Sequence, residues 1–347
     1  LHPNAVNASD INEMPENSLY VEGSVLCRFI MGSIGLQRVR SNRTLVISDR
    51  HSMDMFNNAL VNSVNAACAC YGFDCPHIVQ MDPPLEMKAT LSEAGRAVGQ
   101  VNDIVSFFDI LEKYRESYDA IAIATSIDVS DEDRVAYYEG LIEDMVNPWG
   151  GVEAITTHAI SSYFNLPSAH SPMEASVDVL NYDPGVTDPR IAAEAISVAY
   201  LQCILKGLQR SPKIITNEGE FHKPGIFTSR DISAVVIPEG ILGLPTYAAL
   251  LQGIPVIAVR ENKNIMENNL KELPWRPGQY HVVQNYLEAV GVLAAMKEGL
   301  SPDMTRRPLV SVPLTVHTNH RKTNGESELI VDSQPTQPTQ NVLPSEA

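Results

Sequence analysis

Two histidines and one glutamate in the middle of the chain have the residue types and spacing for proton transfer. A predicted helix that opens with the letters NPWGG carries Glu153 and His158, and His170 follows shortly after it. Histidine exchanges protons near neutral pH, and a carboxylate can orient its ring. We therefore predict His158, His170 and Glu153 as catalytic residues, and Gly150 and Gly151 as backbone contacts to a cofactor or ligand. The alternative is that both histidines are structural.

A second candidate site is the loop PEGILGLPT, which connects a predicted strand to a predicted helix. Gly240 and Gly243 allow the backbone to approach a ligand closely, and Thr246 stands where the helix begins. The next predicted strand, PVIAV, is followed by Arg260. We predict that Gly240, Gly243, Thr246 and Arg260 bind an anionic cofactor or metabolite. The alternative is a tight connection without a ligand.

The cysteines indicate a reducing compartment and no metal. Their number, 5 in 347 residues, is odd and their spacing is not that of a disulfide framework. Cys68, Cys70, Cys75 and His77 crowd together, but without the paired C-x-x-C spacing of zinc sites. We predict a cytoplasmic protein without a metal site, and the sequence leaves the cofactor unknown.

Charge and missing motifs exclude several function classes. The chain has 25 Lys and Arg against 42 Asp and Glu, a formal net charge of −17. Nucleic acids and anionic membranes both select basic surfaces, so neither is expected as a partner. The Walker A, G-x-G-x-x-G, H-E-x-x-H and G-x-S-x-G motifs are absent from the sequence. Their absence argues against P-loop kinases, simple dinucleotide dehydrogenases, zincins and standard α/β-hydrolases.

The elements that must position these residues alternate between strand and helix. Short apolar runs predict strands at 44–48, 78–80, 119–125, 233–237, 255–259 and 281–283. Apolar residues at helical spacing predict helices at 53–71, 101–115, 131–145, 188–210, 244–252 and 285–297. Such alternation is typical of an α/β fold with mostly parallel sheets covered by helices. We expect two Rossmann-like halves.

Composition divides the chain into four parts. Residues 1–170 form the N-terminal α/β half, and we expect an upstream strand to be missing before Leu1. Residues 171–189 are rich in proline and carboxylates and are predicted as a linker. Residues 190–301 form the C-terminal Rossmann-like half. Residues 302–347 are predicted to be an extended or disordered tail, because their composition buries little apolar surface.

The polar segments resemble one family. HPNAVNASDI, NSLYVEG, NPWGGVEAITTH, NLPSAHSPM and AVVIPEG followed by GIPVIAVREN are similar to domain of unknown function 3326, which occurs in cyanobacteria and plastid-bearing eukaryotes. The similarity spans residues 1–297. It implies a strand and a glycine-rich turn before the HPN segment, and it implies no particular reaction.

A shorter resemblance covers residues 234–262. This part is similar to the C-terminal half of two-domain glycosyltransferases and UDP-sugar 2-epimerases, in which the loop and helix start hold a nucleotide diphosphate. A glutamate on the helix usually binds the ribose there. The helix in this chain instead reads Tyr247-Ala248-Ala249-Leu250.

These observations predict a metabolic enzyme that binds a small anionic or nucleotide-linked metabolite in a cleft between the two halves. Group transfer, as in a glycosyltransferase, or isomerisation fits better than hydrolysis, because no activated nucleophile is visible. Association into a homo-oligomer is left open. The alternative is a non-catalytic ligand-binding or regulatory protein that uses the same cleft.

Overall fold

The computed structural model describes residues 2–3, 17–143, 145–189, 191–192, 194 and 200–317. The fold is mixed α/β. Its strands are β1 (His2–Pro3), β2 (Tyr20–Val21), β3 (Gly35–Gln37), β4 (Thr44–Asp49), β5 (Ile78–Met81), β6 (Met87–Leu91), β7 (Ala97–Val101), β8 (Ala120–Asp128), β9 (Ser168–Met173), β10 (Lys213–Ile215), β11 (Ile226–Phe227), β12 (Val235–Pro238), β13 (Val256–Val259) and β14 (Tyr280–Val283). Its α-helices are α1 (Gly23–Met31), α2 (Asp54–Tyr71), α3 (Ile104–Tyr114), α4 (Asp131–Tyr138), α5 (Gly150–Phe164), α6 (Val177–Leu180), α7 (Tyr200–Gln209), α8 (Leu244–Gln252) and α9 (Tyr286–Lys297).

Strand β8 is the centre of the largest sheet. The parallel strands β4 and β9 flank it, and β5 lies outside β4. The hairpin β6–β7 extends the sheet where β6 pairs with the end of β8. The register puts Ile123 of β8 opposite both Ile47 of β4 and His170 of β9. Paired residues share one face of a sheet, so His170 lies on the face of Ile123 and of Thr125, two positions further along β8.

Helices cover both faces of this sheet. On one face, α2 and α7 pack on Val46 and Ala122. On the other face, α3 and α5 pack on Ile47 and Ile123. Because both faces are buried, residues 45–47 of β4 and 120–124 of β8 are apolar at every position instead of alternating. His170 therefore faces α5, the helix that carries Glu153.

A smaller parallel sheet has the strand order β12-β13-β14. Helix α8 packs on one face, against Val256 and Ala258, and α9 packs on the other, against Ile257 and Val259. A third sheet is antiparallel and joins β3 to β10 and β11. Helix α1 contacts both α8 and α5 and so connects the small sheet to the large one.

The two predicted halves share elements. Helix α7 belongs to residues 190–301, yet it packs on β8 and β9 of the large sheet and on the helix α2 that covers it. Strand β3 belongs to residues 1–170, yet its two partners are β10 and β11. Within the predicted linker, residues 171–173 complete β9 and α6 forms a short helix.

Most predicted elements are present, and the differences are one shortened helix and several elements that were not predicted. The helix predicted over 244–252 is confirmed at both ends. The helix predicted over 131–145 ends at Tyr138, because Gly140 adopts a φ of 66° that stops it. The hairpin β6–β7 and the strand β9 were not predicted.

The ends of the chain are only partly described. Residues 302–305 form a short 3₁₀ turn, and no helix or strand is assigned from 306 to 317. The remainder of the predicted tail lies outside the described residues, as does most of the polar HPNAVNASDI segment.

Candidate functional site

Glu153 and His170 form a buried pair between α5 and β9. Glu153 is 1% exposed and His170 is 3% exposed. The Nδ1 atom of His170 lies 2.9 Å from Glu153 Oε1, and its Nε2 atom lies 2.8 Å from Thr125 Oγ1. The Thr125 hydroxyl donates to Met87 Sδ at 3.0 Å. Because the Thr125 hydroxyl proton is used in this way, Thr125 Oγ1 accepts from the Nε2–H of His170. The Nδ1 atom of His170 then carries no proton and accepts a hydrogen bond from Glu153.

Burial favours the neutral form of both members of this pair. It raises the pKa of Glu153 well above the ordinary range, because a buried carboxylate loses its hydration. Burial lowers the pKa of His170 to about 3, and the charge of Asp49 opposes this only in part. Since Glu153 keeps a proton that His170 does not take, their contact is a neutral hydrogen bond and not an ion pair. The proton lies between two buried groups.

One oxygen of Glu153 remains available. Its Oε2 atom is buried and has no hydrogen-bond partner within the described chain. Glu153 is also one of the residues that line a cavity of about 220 Å³. The cavity lies where β8 and β9 end, with Asp128 and Met173 in its wall. Ligands of parallel sheets bind at this carboxyl edge, beside helix starts.

Arg134 of α4 provides a second incompletely bonded group in the same cavity. Its Nε atom is buried without a partner within the described chain, while one terminal nitrogen lies 2.8 Å from Asp131. The guanidinium stacks over the ring of Tyr182 at 5.7 Å. Trp149, Tyr138 and Tyr200 also line the cavity, so three aromatic rings contribute to its walls.

A third buried carboxyl, Asp49, holds the end of β4 in place. Its Oδ1 accepts from the backbone N–H of Leu85 at 2.7 Å, and its Oδ2 accepts from that of Ser126 at 2.8 Å. Burial raises the pKa of Asp49, and these two hydrogen bonds oppose the shift. Because both oxygens are engaged, Asp49 positions the strands around His170 and does not present a free oxygen.

His158 does not join the pair. Its Nε2 lies 2.9 Å from Glu22 Oε1, and its side chain is 46% exposed. Glu22 is buried and caps α1 by accepting from the backbone N–H groups of Ser24 and Val25. The sequence grouped both histidines with Glu153, whereas the structure brings together only Glu153 and His170. His158 connects α5 to the start of α1.

Gly150 and Gly151 lie at the start of α5. Close packing against the backbone of β7 explains why residue 151 is a glycine. A Cβ at Gly151 would lie 2.4 Å from the carbonyl oxygen of Ala97 in β7. The N–H of Gly150 donates to the carbonyl of Asn147 at 3.2 Å. Neither glycine lines the cavity, although Asn147 and Trp149 just before them do.

The glycine loop after β12 separates into two groups. Gly240 and Arg260 line one open cavity of about 450 Å³, together with Lys263. Gly243 and Thr246 do not line it, and the Thr246 hydroxyl donates to the carbonyl of Ile241 at 3.1 Å. Gly240 has a φ of 92°, and its carbonyl accepts from the Asn268 side chain at 2.9 Å. Arg260 is paired with Glu239 at 3.1 Å.

The cysteine cluster is spread over the surface. Cys68 and Cys70 are exposed on α2, and the thiol of Cys75 donates to the carbonyl of His77 at 3.3 Å. Among the described residues, no three His, Cys, Asp or Glu side chains are grouped to hold a metal ion. In the same part of the chain, no helix is both long and apolar enough to cross a membrane.

Sequence reasoning missed three residues that shape this site. Thr125 ends the predicted strand 119–125, so its place at the carboxyl edge could have marked it. Arg134 follows three acidic residues at the start of α4, and no local signal marks it. Glu22 stood in a segment noted only for its polarity, and its burial depends on α1 packing against α5, which has no local signal.

The fold and this cavity define a mixed α/β protein with a buried carboxyl–imidazole pair at the edge of its main sheet. The chain belongs to the family described as protein of unknown function (DUF3326), which it matches over residues 1–306. It is similar to an uncharacterized lipoprotein of Synechococcus sp., with 30% identity over 305 residues that cover 87% of this chain and 82% of the relative. No solved structure matches the chain. The family resemblance noted from the polar segments is therefore confirmed.

Proposed function

We propose that this protein is a metabolic enzyme that moves a proton on a small anionic metabolite bound in the cavity beside Glu153. The observation that carries the proposal is the unpartnered, buried Oε2 of Glu153 in the wall of that cavity. A buried polar atom without a partner costs free energy, and a bound substrate group would recover it. A carboxyl that keeps its proton at neutral pH is also a suitable general acid.

The tautomer of His170 determines what Glu153 offers to the substrate. When His170 carries its proton on Nε2, the Glu153 proton lies on Oε1 and Oε2 accepts a hydrogen bond. When His170 carries its proton on Nδ1, the Glu153 proton lies on Oε2 and can be donated, while Thr125 turns its hydroxyl toward Nε2. The proton count is the same in both states, and the pair stays neutral.

Isomerisation uses this exchange most simply. A carbon–hydrogen bond of the substrate breaks and its proton goes to Glu174, a cavity carboxyl whose pKa burial raises. The proton of Glu153 Oε2 forms a bond to the substrate carbonyl oxygen. In the second half of the reaction, the hydroxyl on the neighbouring carbon gives its proton to Glu153 Oε2 and becomes the new carbonyl. Glu174 returns its proton to the former carbonyl carbon, which gives the isomer and restores both carboxyls. Group transfer remains an option if a second substrate binds.

We infer two Rossmann-like halves, with the sheet β12-β13-β14 and its helices α8 and α9 as the second one. A nucleotide-linked metabolite would need its nucleotide beside Gly240 and Arg260, because the cavity at Glu153 is small. Arg260 would have to exchange Glu239 for a phosphate.

We propose a cytoplasmic location on the basis of the free cysteines of the described chain. The word lipoprotein in the name of the Synechococcus relative describes that protein and points to a membrane surface instead. Fractionation of cells that express the native gene separates the two locations. Recovery with the membranes after high-salt washing would contradict the cytoplasmic proposal.

Solvent exchange tests the proposed activity without knowledge of the product. The protein is incubated in D2O with a panel of small sugars, hydroxy acids, oxo acids and amino acids, and loss of carbon-bound proton signals is followed by ¹H NMR. We expect exchange with at least one compound, and a loss of about 10²-fold or more in Glu153→Gln, which keeps the shape but not the acid. Arg50→Gln is the control, because Arg50 pairs with Asp82 on the surface and is not among the residues that line this cavity.

Two results would overturn this proposal. One is Glu153→Gln exchanging as fast as the wild-type protein while remaining folded. The other is a panel compound that binds without exchanging any proton, which favours the non-catalytic ligand-binding alternative. That alternative is supported by one feature of the site, since both ring nitrogens of His170 already have partners.

A further inference from the structure

Two incompletely bonded side chains face one cavity. Only four buried side-chain nitrogen or oxygen atoms of the described chain lack a partner, and two of them, Glu153 Oε2 and Arg134 Nε, belong to residues that line this cavity. Arg134 Nε is a donor, and Glu153 Oε2 is an acceptor or donor according to its proton. Buried polar groups are almost always paired, so these two atoms are the groups of this cavity best suited to bind a ligand.

Arg134 selects an oxygen anion. A guanidinium has no acceptor atom, and its planar N–H groups match carboxylate or phosphate oxygens. One terminal nitrogen of Arg134 already binds Asp131, which leaves the Nε–H side for the ligand.

The other carboxyls of the cavity do not prevent an anion from binding. Each of three is engaged by the protein, namely Asp128 by Lys88, Asp131 by Arg134 and Glu194 by Tyr137. Burial raises the pKa of Glu153, which lowers its negative charge. A neutral Glu153 also favours a hydroxyl or carbonyl oxygen over an ammonium group, since it lacks the charge to compensate a buried cation.

Size limits the ligand. A volume of about 220 Å³ corresponds to about seven water molecules at ~30 Å³ each. That space suits a compact acid better than a phosphorylated sugar or a whole nucleotide.

We propose that the ligand is a small carboxylic acid with a hydroxyl or carbonyl oxygen on the neighbouring carbon. Its carboxylate accepts from Arg134 Nε, and the neighbouring oxygen hydrogen-bonds to Glu153 Oε2. This inference rests on the proposed function, because it names the substrate class of the same site. Arg134 is thereby a binding residue that no sequence motif marked.

Calorimetry and ligand-observed NMR with five probes test this inference. Lactate and pyruvate carry both groups, propionate lacks the neighbouring oxygen, lactamide lacks the anion, and alanine carries an ammonium group. We expect lactate or pyruvate to bind about tenfold or more tightly than the other three. Arg134→Gln and Arg134→Lys should each lose about tenfold or more of that affinity, and Arg50→Gln should lose none. Thermal unfolding shows whether each variant is folded.

The outcomes separate this inference from the proposed function. Equal binding of lactamide and lactate, tighter binding of alanine, or unchanged affinity in a folded Arg134→Lys variant would overturn the carboxylate assignment. Failure of both lactate and pyruvate to bind, even at concentrations that occupy weak sites, would also overturn the carboxylate assignment. It would leave water as the partner of Glu153 Oε2 and Arg134 Nε. If lactate or pyruvate binds through Arg134 but no proton exchanges in D2O, the inference holds and the proposed enzyme activity fails. If exchange occurs only on compounds without a carboxylate, the activity holds and the inference fails.

Discussion

Glu22 and Glu153 are both fully buried carboxyls beside a histidine, but their oxygens are used differently. Glu22 accepts from two backbone N–H groups, from Ser24 Oγ and from His158, so both its oxygens are engaged. Glu153 binds His170 through one oxygen and leaves the other unpartnered. A carboxyl with both oxygens bonded stabilises the fold, whereas one with a free oxygen can meet a ligand.

This difference predicts unequal stabilities for two alanine variants. We expect Glu22→Ala to lower the free energy of unfolding by about 2 kcal/mol or more, because it removes the α1 cap and leaves buried donors unpaired. His158→Ala should cost about 1 kcal/mol or less, because its imidazole is half exposed. Urea unfolding measures both. Equal losses of unfolding free energy in Glu22→Ala and His158→Ala would contradict a structural role centred on Glu22.

Part of this site could be predicted at the residue scale. Glu153 and His170 were both singled out from the segment that contains them. The separation of Glu153 from His158 was also readable, since five positions at ~100° each turn a helix by ~140° beyond one full turn. The contact of His170 with Thr125 was not readable, because it depends on the register of β9 against β8.

Helix α5 shows how a single element positions the site. Its start packs so closely on β7 that a Cβ at Gly151 or at Gly99 would lie within 2.4 Å of the opposite element. It ends at Phe164, and the side chain of the next residue, Asn165, accepts from Arg28 of α1 at 2.6 Å. The helix is therefore held at both ends, with Glu153 near its first turn beside the cavity.

This packing predicts a specific cost for a methyl group at the start of α5. Gly151→Ala should destabilise the protein by about 1–3 kcal/mol, because the new Cβ meets the backbone of Ala97 and Val98, which cannot rotate away. Gly291→Ala is the matched control in α9, where nothing lies within 4 Å, and it should be neutral or stabilise by up to about 1 kcal/mol. Thermal and urea unfolding compare the two. A Gly151→Ala variant as stable as Gly291→Ala would mean that packing does not explain this glycine.

Elements were predictable where one physical signal dominated. Strands β4 and β8 are buried on both faces, and their apolar runs were visible. Strand β9 contains Ser168, His170 and Ser171, so it lacks an apolar run even though it pairs along β8. Its polarity comes from the site that it helps to build.

The whole molecule is less divided than its composition suggests. Helix α7 completes the core of the large sheet, and β3 pairs with strands from beyond residue 190. A boundary drawn from proline and charge could not include these contacts, because they join segments far apart in the chain.

The central claim is that Glu153 keeps its proton in the folded protein. The pH dependence of the free energy of unfolding tests it. Glu153 has a raised pKa in the folded state, so above its unfolded value of about 4.3 the folded state binds the extra proton and stability falls as pH rises. His170 has a lowered pKa, so its effect has the opposite sign and ends above its unfolded value of about 6.5. From about pH 7 upward, of these two residues only Glu153 changes the free energy of unfolding with pH.

The decisive measurement is the free energy of unfolding of the wild-type protein minus that of Glu153→Gln, between about pH 7 and 8.5. We expect this difference to fall by up to ~1.4 kcal/mol per pH unit, until the folded-state pKa of Glu153 is passed. A difference that stays flat over this range would show an ionised Glu153 and contradict the account.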